Sequence, residues 1–170
     1  CKILMITEPL VLIPGMMCDS RLYTPQVNAL SARCPIMVIP PIGARTVEDL
    51  ASNLLSIAPP RFALAGLSLG GIVAMEVVRQ APERVTRLAL LDTNPLADQP
   101  GKAIERRRQI DRVIKNGLKN VMVEDLKPDY LYDRSNREDI LNLCLEMAMS
   151  CGPATFVNQT EAILTRREQQ

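Results

Sequence analysis

One hydroxyl stands among glycines in Gly66-Leu67-Ser68-Leu69-Gly70-Gly71, with the apolar run Phe62-Ala63-Leu64-Ala65 before it and the apolar segment Leu69 to Gln80 after it. The spacing fits G-x-S-x-G on a sharp turn from a buried strand into a helix. Such a turn strains the serine backbone and pushes its hydroxyl outward, where it can attack a carbonyl. Side chains two residues to either side would collide with the adjoining strand and helix. Gly66 and Gly70 carry none, and Gly71 lets the helix pack close. The helix then aims its positive end and the Leu69 N–H at whatever Ser68 holds. A serine that merely caps a helix needs no such pair of glycines.

A serine hydroxyl is a weak nucleophile until something takes its proton. The sequence contains no histidine. Its lysines are Lys2, Lys102, Lys115, Lys119 and Lys127, none at a place where the motif positions a base. Asp92, which ends the apolar run Val85 to Leu91, is a candidate acid, or else a residue that orders the loop beside the pocket. Asp19, ahead of Arg21-Leu22-Tyr23, reads as a loop or helix cap.

The elements that would hold these residues follow from apolar patterning. Leu10–Ile13 closed by Pro14-Gly15, Ile36–Ile39 closed by Pro40-Pro41, Phe62–Ala65 and Val85–Leu91 predict four strands. Continuous rather than alternating runs suit a parallel sheet covered on both faces. Lys2–Ile6 reads as a further strand, or as a leader with Met5 as the natural start. Helices are predicted over Thr24–Ala32 with Pro25 in the first turn, from the cap Thr46 to Ile57 with Glu48 and Asp49 at the positive end, and over Leu69–Gln80. This alternation specifies an α/β fold with a doubly wound, mostly parallel sheet. After Asp92 comes a polar loop, then apolar stripes at Ile104, Ile110, Val113, Ile114 and Leu118 and at Ile140, Leu141, Leu143, Cys144, Met147 and Ala148. The chain is thereby divided into a core, 1–97, and a helical cap, 98–170.

The net charge of +1 argues against nucleic acid or an anionic membrane as partner. The five cysteines form no CxxC pair, so neither metal nor cofactor is expected, and the thiols read as those of a reduced cytoplasmic protein. No stretch reaches the roughly 18 uninterrupted apolar residues that span a bilayer. Asn158-Gln159-Thr160 fits a glycosylation sequon by chance. Arg106-Arg107-Arg108 reads as a solvated helix face balanced by Glu105 and Asp111, or as an anion-binding rim over a pocket. Met147, Met149 and Phe156 read as cap core rather than as the lining of an acyl pocket.

On the serine motif and its setting, residues 10 to 97 resemble the α/β-hydrolase superfamily, particularly small bacterial serine hydrolases of the esterase and acyl-transfer type. The later helices look like that family's cap. Val11-Leu12-Ile13-Pro14-Gly15-Met16-Met17-Cys18-Asp19 resembles the family's oxyanion loop, with Pro-Gly where His-Gly is commoner. The resemblance implies a strand order 4-3-5-6 in family terms and an acyl-Ser68 intermediate on a small-molecule acyl substrate. It implies oxyanion donors in the N–H groups of Met16 and Leu69, with Met17 as the alternative. It also implies a histidine after the last strand. That residue is missing here, as are the last two strands, and a full member needs roughly 250 residues. The 170 residues therefore read as the front of a longer serine hydrolase, nearly inactive alone, with a bared sheet edge able to pair with another copy. The alternative is a naturally short, non-catalytic binding or scaffold protein on the same fold.

Overall fold

The computed structural model describes residues 8–126 and 137–169. The Lys2–Ile6 strand or leader, Cys1 and Lys127 lie outside the described residues. Strands β1 (Leu10–Ile13), β2 (Ile36–Val38), β3 (Phe62–Leu67) and β4 (Val85–Leu91) form one parallel sheet in the order β2-β1-β3-β4. This is the 4-3-5-6 order implied by the resemblance. β3 runs two residues past its apolar run, because Gly66 and Leu67 still pair with Leu90 and Leu91.

Successive residues of the central strands serve opposite faces, as the pleat requires. Val11, Ile13, Phe62 and Leu64 pack with helices α2 (Val47–Ile57) and α3 (Leu69–Gln80). Leu12 and Ala65 pack on the other side with Tyr23 and with Val27 of α1 (Thr24–Leu30). Thr46 caps α2 as its sequence predicts, accepting the Asp49 N–H at 3.1 Å. At the other end of α2, Arg84 donates to the carbonyls of Leu55, Ala58 and Pro59 at 2.8–2.9 Å. It thereby satisfies acceptors that the helix and its exit loop leave open.

The expected cover on both faces holds for β1 and β3 and fails at the two edge strands, at Met37 of β2 and more widely at β4. There Leu88, Leu90 and Leu91 are 43%, 42% and 44% exposed, because β4 is an edge with no described element on its outer side.

Beyond β4 and the loop 92–99 the described elements are helices: α4 (Pro100–Asn116), α5 (Leu118–Val121), a π-helical turn (Met122–Leu126) and α6 (Arg137–Thr165). By length and composition α6 could cross a membrane. It is broken, however, at Gly152 (φ 81°, ψ 167°) ahead of Pro153. Before the break Met147 packs with Cys18 and Cys144. After it, Ala162 and Ile163 join the core cluster of Val11, Ile13 and Leu64. The helix is thus tied into the fold on both sides of its break.

Candidate active site

Ser68 sits where β3 gives way to α3, with φ 52° and ψ −114°. A non-glycine residue in such a conformation costs of order 1–3 kcal/mol and persists only where its surroundings hold it. Here the Ser68 N–H donates to Leu91 O at 2.9 Å, and its carbonyl accepts Gly71 N–H at 2.9 Å and the Thr93 hydroxyl at 2.8 Å. The side chain is exposed and makes no capping bond, so the serine is not simply a helix cap. The glycines act as their spacing suggests. A Cβ on Gly66 would lie 2.2 Å from Gly70 O, and one on Gly70 would lie 2.1 Å from Ile13 O. Gly71 faces the Thr93 side chain, 2.7 Å from an added Cβ.

The loop after β1 turns back at Gly15–Cys18, closed by Cys18 N–H to Gly15 O at 3.2 Å, with Met17 at φ 57°. It abuts the serine: a Cβ on Gly15 would stand 3.6 Å from Ser68 Cβ. The Met17 N–H is already engaged, donating to Gln159 Oε1 at 2.9 Å. The Met16 N–H makes no hydrogen bond to the described residues, and the Leu69 N–H, in the first helical position, has no acceptor within α3. Two open donors therefore flank the serine turn, and Met17 is not one of them.

Ser68 and Leu69 line a cleft of about 600 Å³ together with Asp92, Lys102, Arg106 and Arg166. Asp92 has φ 43°, is exposed, and makes no hydrogen bond to the described residues. It does not order the neighbouring loop. That is done by Thr93, by Asn94 Oδ1 accepting Leu96 N–H at 2.9 Å, and by Arg166, whose Nη2 donates to Leu96 O at 2.6 Å. The arginine run divides. Arg106 turns inward to Asp98, while Arg107 is exposed and Arg108 pairs with Glu105 at 2.8 Å on the solvated face. Asp98 also receives Arg166 at 3.0 Å, so two guanidinium groups share one carboxylate, with side chains 17%, 5% and 9% exposed for Arg106, Arg166 and Asp98. Burial pushes the Arg166 guanidinium below its ordinary pKa against the pull of Asp98. Lys102, which no motif singled out, opens α4 on the same cleft.

Asp19 is a helix cap, as read from the sequence: it accepts Arg21 N–H at 2.9 Å, and the Arg21 guanidinium hydrogen-bonded to it holds its carboxyl below the usual range. Met147 and Phe156 are fully buried core residues, Met149 is 48% exposed, and none of them lines the cleft. Gln159 and Thr160 of the sequon are buried within α6. Thr93, Asp98, Arg166 and Gln159 escaped the sequence reading. Gln159 lies 142 residues from Met17, and no local pattern links them.

The sheet order, the strained serine turn and the solved structures of similar shape show that the chain has part of an α/β-hydrolase fold. A thermophilic esterase from Thermogutta terrifontis superposes with a TM-score of 0.81 at 24% identity, covering 97% of this chain and 66% of its own. The enol-lactonase from Burkholderia xenovorans does so at 0.81 and 21%, covering 96% of this chain and 67% of its own. Among curated proteins, the chain is 35% identical to a pimeloyl-[acyl-carrier protein] methyl ester esterase of Legionella pneumophila over 106 residues, 57% of this chain and 44% of that protein. The protein of the same name from Aliivibrio salmonicida is 28% identical over 130 residues, 71% of this chain and 46% of its own. The chain thus spans less than half the length of these curated relatives. No family model matches it.

Proposed function

We propose that the whole protein is a serine hydrolase cleaving an ester, or a related acyl bond, of a small-molecule substrate. The Ser68 oxygen attacks the acyl carbonyl and gives up its proton to a base. The carbonyl oxygen becomes an oxyanion held by the Met16 and Leu69 N–H groups, and the alcohol leaves to give acyl-Ser68. Water then releases the acid. In this reading the histidine base comes from outside these 170 residues, and Asp92 is the lesser candidate for the acid. The observation that carries the reading is the positive φ of Ser68 at the mouth of a cleft, flanked by two open N–H donors. The names of the curated relatives favour an ester of an acyl chain with a small alcohol.

The test is a fluorophosphonate probe on the full-length gene product, with hydrolysis of p-nitrophenyl esters measured alongside. Labelling at Ser68, lost together with turnover in Ser68→Ala, is expected. A full-length protein that takes no label would instead be a binding protein on a hydrolase fold.

A further inference from the structure

Gln159 is wholly buried, yet both ends of its amide are used. Its Oε1 accepts the Met17 N–H at 2.9 Å, and its Nε2 donates to Pro41 O at 2.9 Å. Met17 belongs to the turn that follows β1, and Pro41 to the loop that follows β2. One side chain, brought in by α6, therefore ties together two loops at the same end of the sheet.

The turn needs such a tie. Met17 is its third residue, where φ is positive, a conformation that suits glycine or asparagine and strains methionine. Its N–H has no acceptor inside the turn, and a buried N–H left unpaired is costly. Gln159 supplies the acceptor only while Met17 keeps this conformation. Without it, Met17 can relax towards negative φ by rotating the Met16–Met17 peptide, and the loop that abuts Ser68 shifts with it.

We propose that Gln159 is a positioning residue for the oxyanion: it holds the Gly15–Cys18 turn in the conformation that occupies the Met17 N–H and leaves the Met16 N–H open beside Ser68. The inference rests on the hydrolase reading of Ser68. Gln159 touches no reacting atom and acts through the turn.

The experiment uses the full-length protein, with active sites counted by fluorophosphonate titration so that misfolded molecules do not enter the rate. Gln159→Met keeps the length of the side chain and removes both hydrogen bonds. Its kcat on a p-nitrophenyl ester falls about tenfold to a hundredfold, short of the loss expected for deleting a whole oxyanion donor. KM changes by less than about twofold, because the acyl pocket is untouched. An alkyl trifluoromethyl ketone adds the Ser68 oxygen to its carbonyl, passing the hydroxyl proton to the base, and its adduct carries the oxyanion. Its affinity weakens by the same factor as kcat/KM. Gln159→Asn stays polar but is one methylene too short to span Met17 and Pro41. It serves as the second variant and follows the same pattern.

A purely structural role leaves kcat per titrated site and ketone affinity at wild-type values in either variant, and that result overturns the proposal. A wild-type protein that takes no label and shows no turnover overturns the hydrolase reading and this one together. A labelled wild type with unaltered variants overturns the positioning role alone.

Discussion

The hydroxyl of Thr93 reaches back across the end of β4 to the carbonyl of Ser68, 2.8 Å away, and the same side chain fills the space that Gly71 leaves empty. The serine turn is therefore gripped from the loop that carries Asp92, and not only from its own strand and helix. Thr93→Val keeps the shape and removes the bond. It should cost about 1 kcal/mol of stability and slow fluorophosphonate labelling of Ser68 in the full-length protein. Unchanged melting and labelling rates would remove Thr93 from the account.

The two glycines that bracket the serine differ from others in the chain by what surrounds them. A Cβ at Gly70 meets the Ile13 and Pro14 carbonyls at 2.1 and 2.6 Å, whereas one at Gly101 meets nothing within 4 Å. Backbone cannot yield as a flexible side chain does. Gly70→Ala should destabilise by about 4 kcal/mol or more, while Gly101→Ala, in the first turn of α4, should be neutral or stabilise by up to about 1 kcal/mol. Urea midpoints of the two variants give the comparison directly, and similar values would contradict the close packing.

Asp98 is the shared partner of Arg106 and Arg166, all three largely shielded from water. Asp98→Asn leaves two buried cations facing each other and should cost about 3–5 kcal/mol. Glu105→Gln, in an exposed pair with Arg108, should cost no more than about 0.5 kcal/mol. Denaturant unfolding distinguishes the two, and equal effects would show that the Asp98 cluster is as wet as the surface pair.

The core of the fold was legible because it is local. The four short apolar runs became the four strands, and Thr46 and Pro25 act through neighbours a few residues away, whereas Gly70 and Gly71 make room for Ile13 and Thr93. A bared sheet edge was expected, but which leucines it exposes was not legible, since Leu88 and Leu90 look like Leu12 and Leu64 until their neighbours are known. The candidate site divides in the same way. Ser68, Leu69 and the Pro14-Gly15 loop announce themselves in short motifs. Gln159 and Arg166 reach the site from the far end of the chain, and their contacts depend on how α6 bends back. The motif names no place for Lys102, yet the fold brings it to the cleft.

Burial pushes the Cys18 thiol and the Tyr23 phenol up to about 12, from ordinary values of 9.0 and 10.0. Both groups are neutral in the fold and bind their protons more tightly there than in the unfolded chain. Their contribution to stability is complete below pH 9 and declines as pH rises from 9 towards 12. Unfolding midpoints should therefore fall over that window, and Cys18→Ala should flatten the fall. A flat wild-type profile between pH 9 and 11 would show that neither group is shielded.

The outer edge of β4 presents open backbone groups beside Leu88, Leu90 and Leu91. Such an edge invites pairing with another chain. The 170-residue chain expressed alone should self-associate in light scattering as concentration rises, and Leu90→Lys should reduce it. A concentration-independent monomer would contradict this.

Residue 152 poses a problem for anyone surveying substitutions by available room. A side chain at Gly152 would meet no atom within 4 Å, so by volume the position looks permissive. Its φ of 81° is nonetheless what lets α6 change direction ahead of Pro153 and bring Gln159 down onto the loop beside the serine. The position is free in space and constrained in torsion, and, if Gln159 positions that loop as proposed, a neutral-looking replacement there should alter reactivity at Ser68 from the opposite end of the chain.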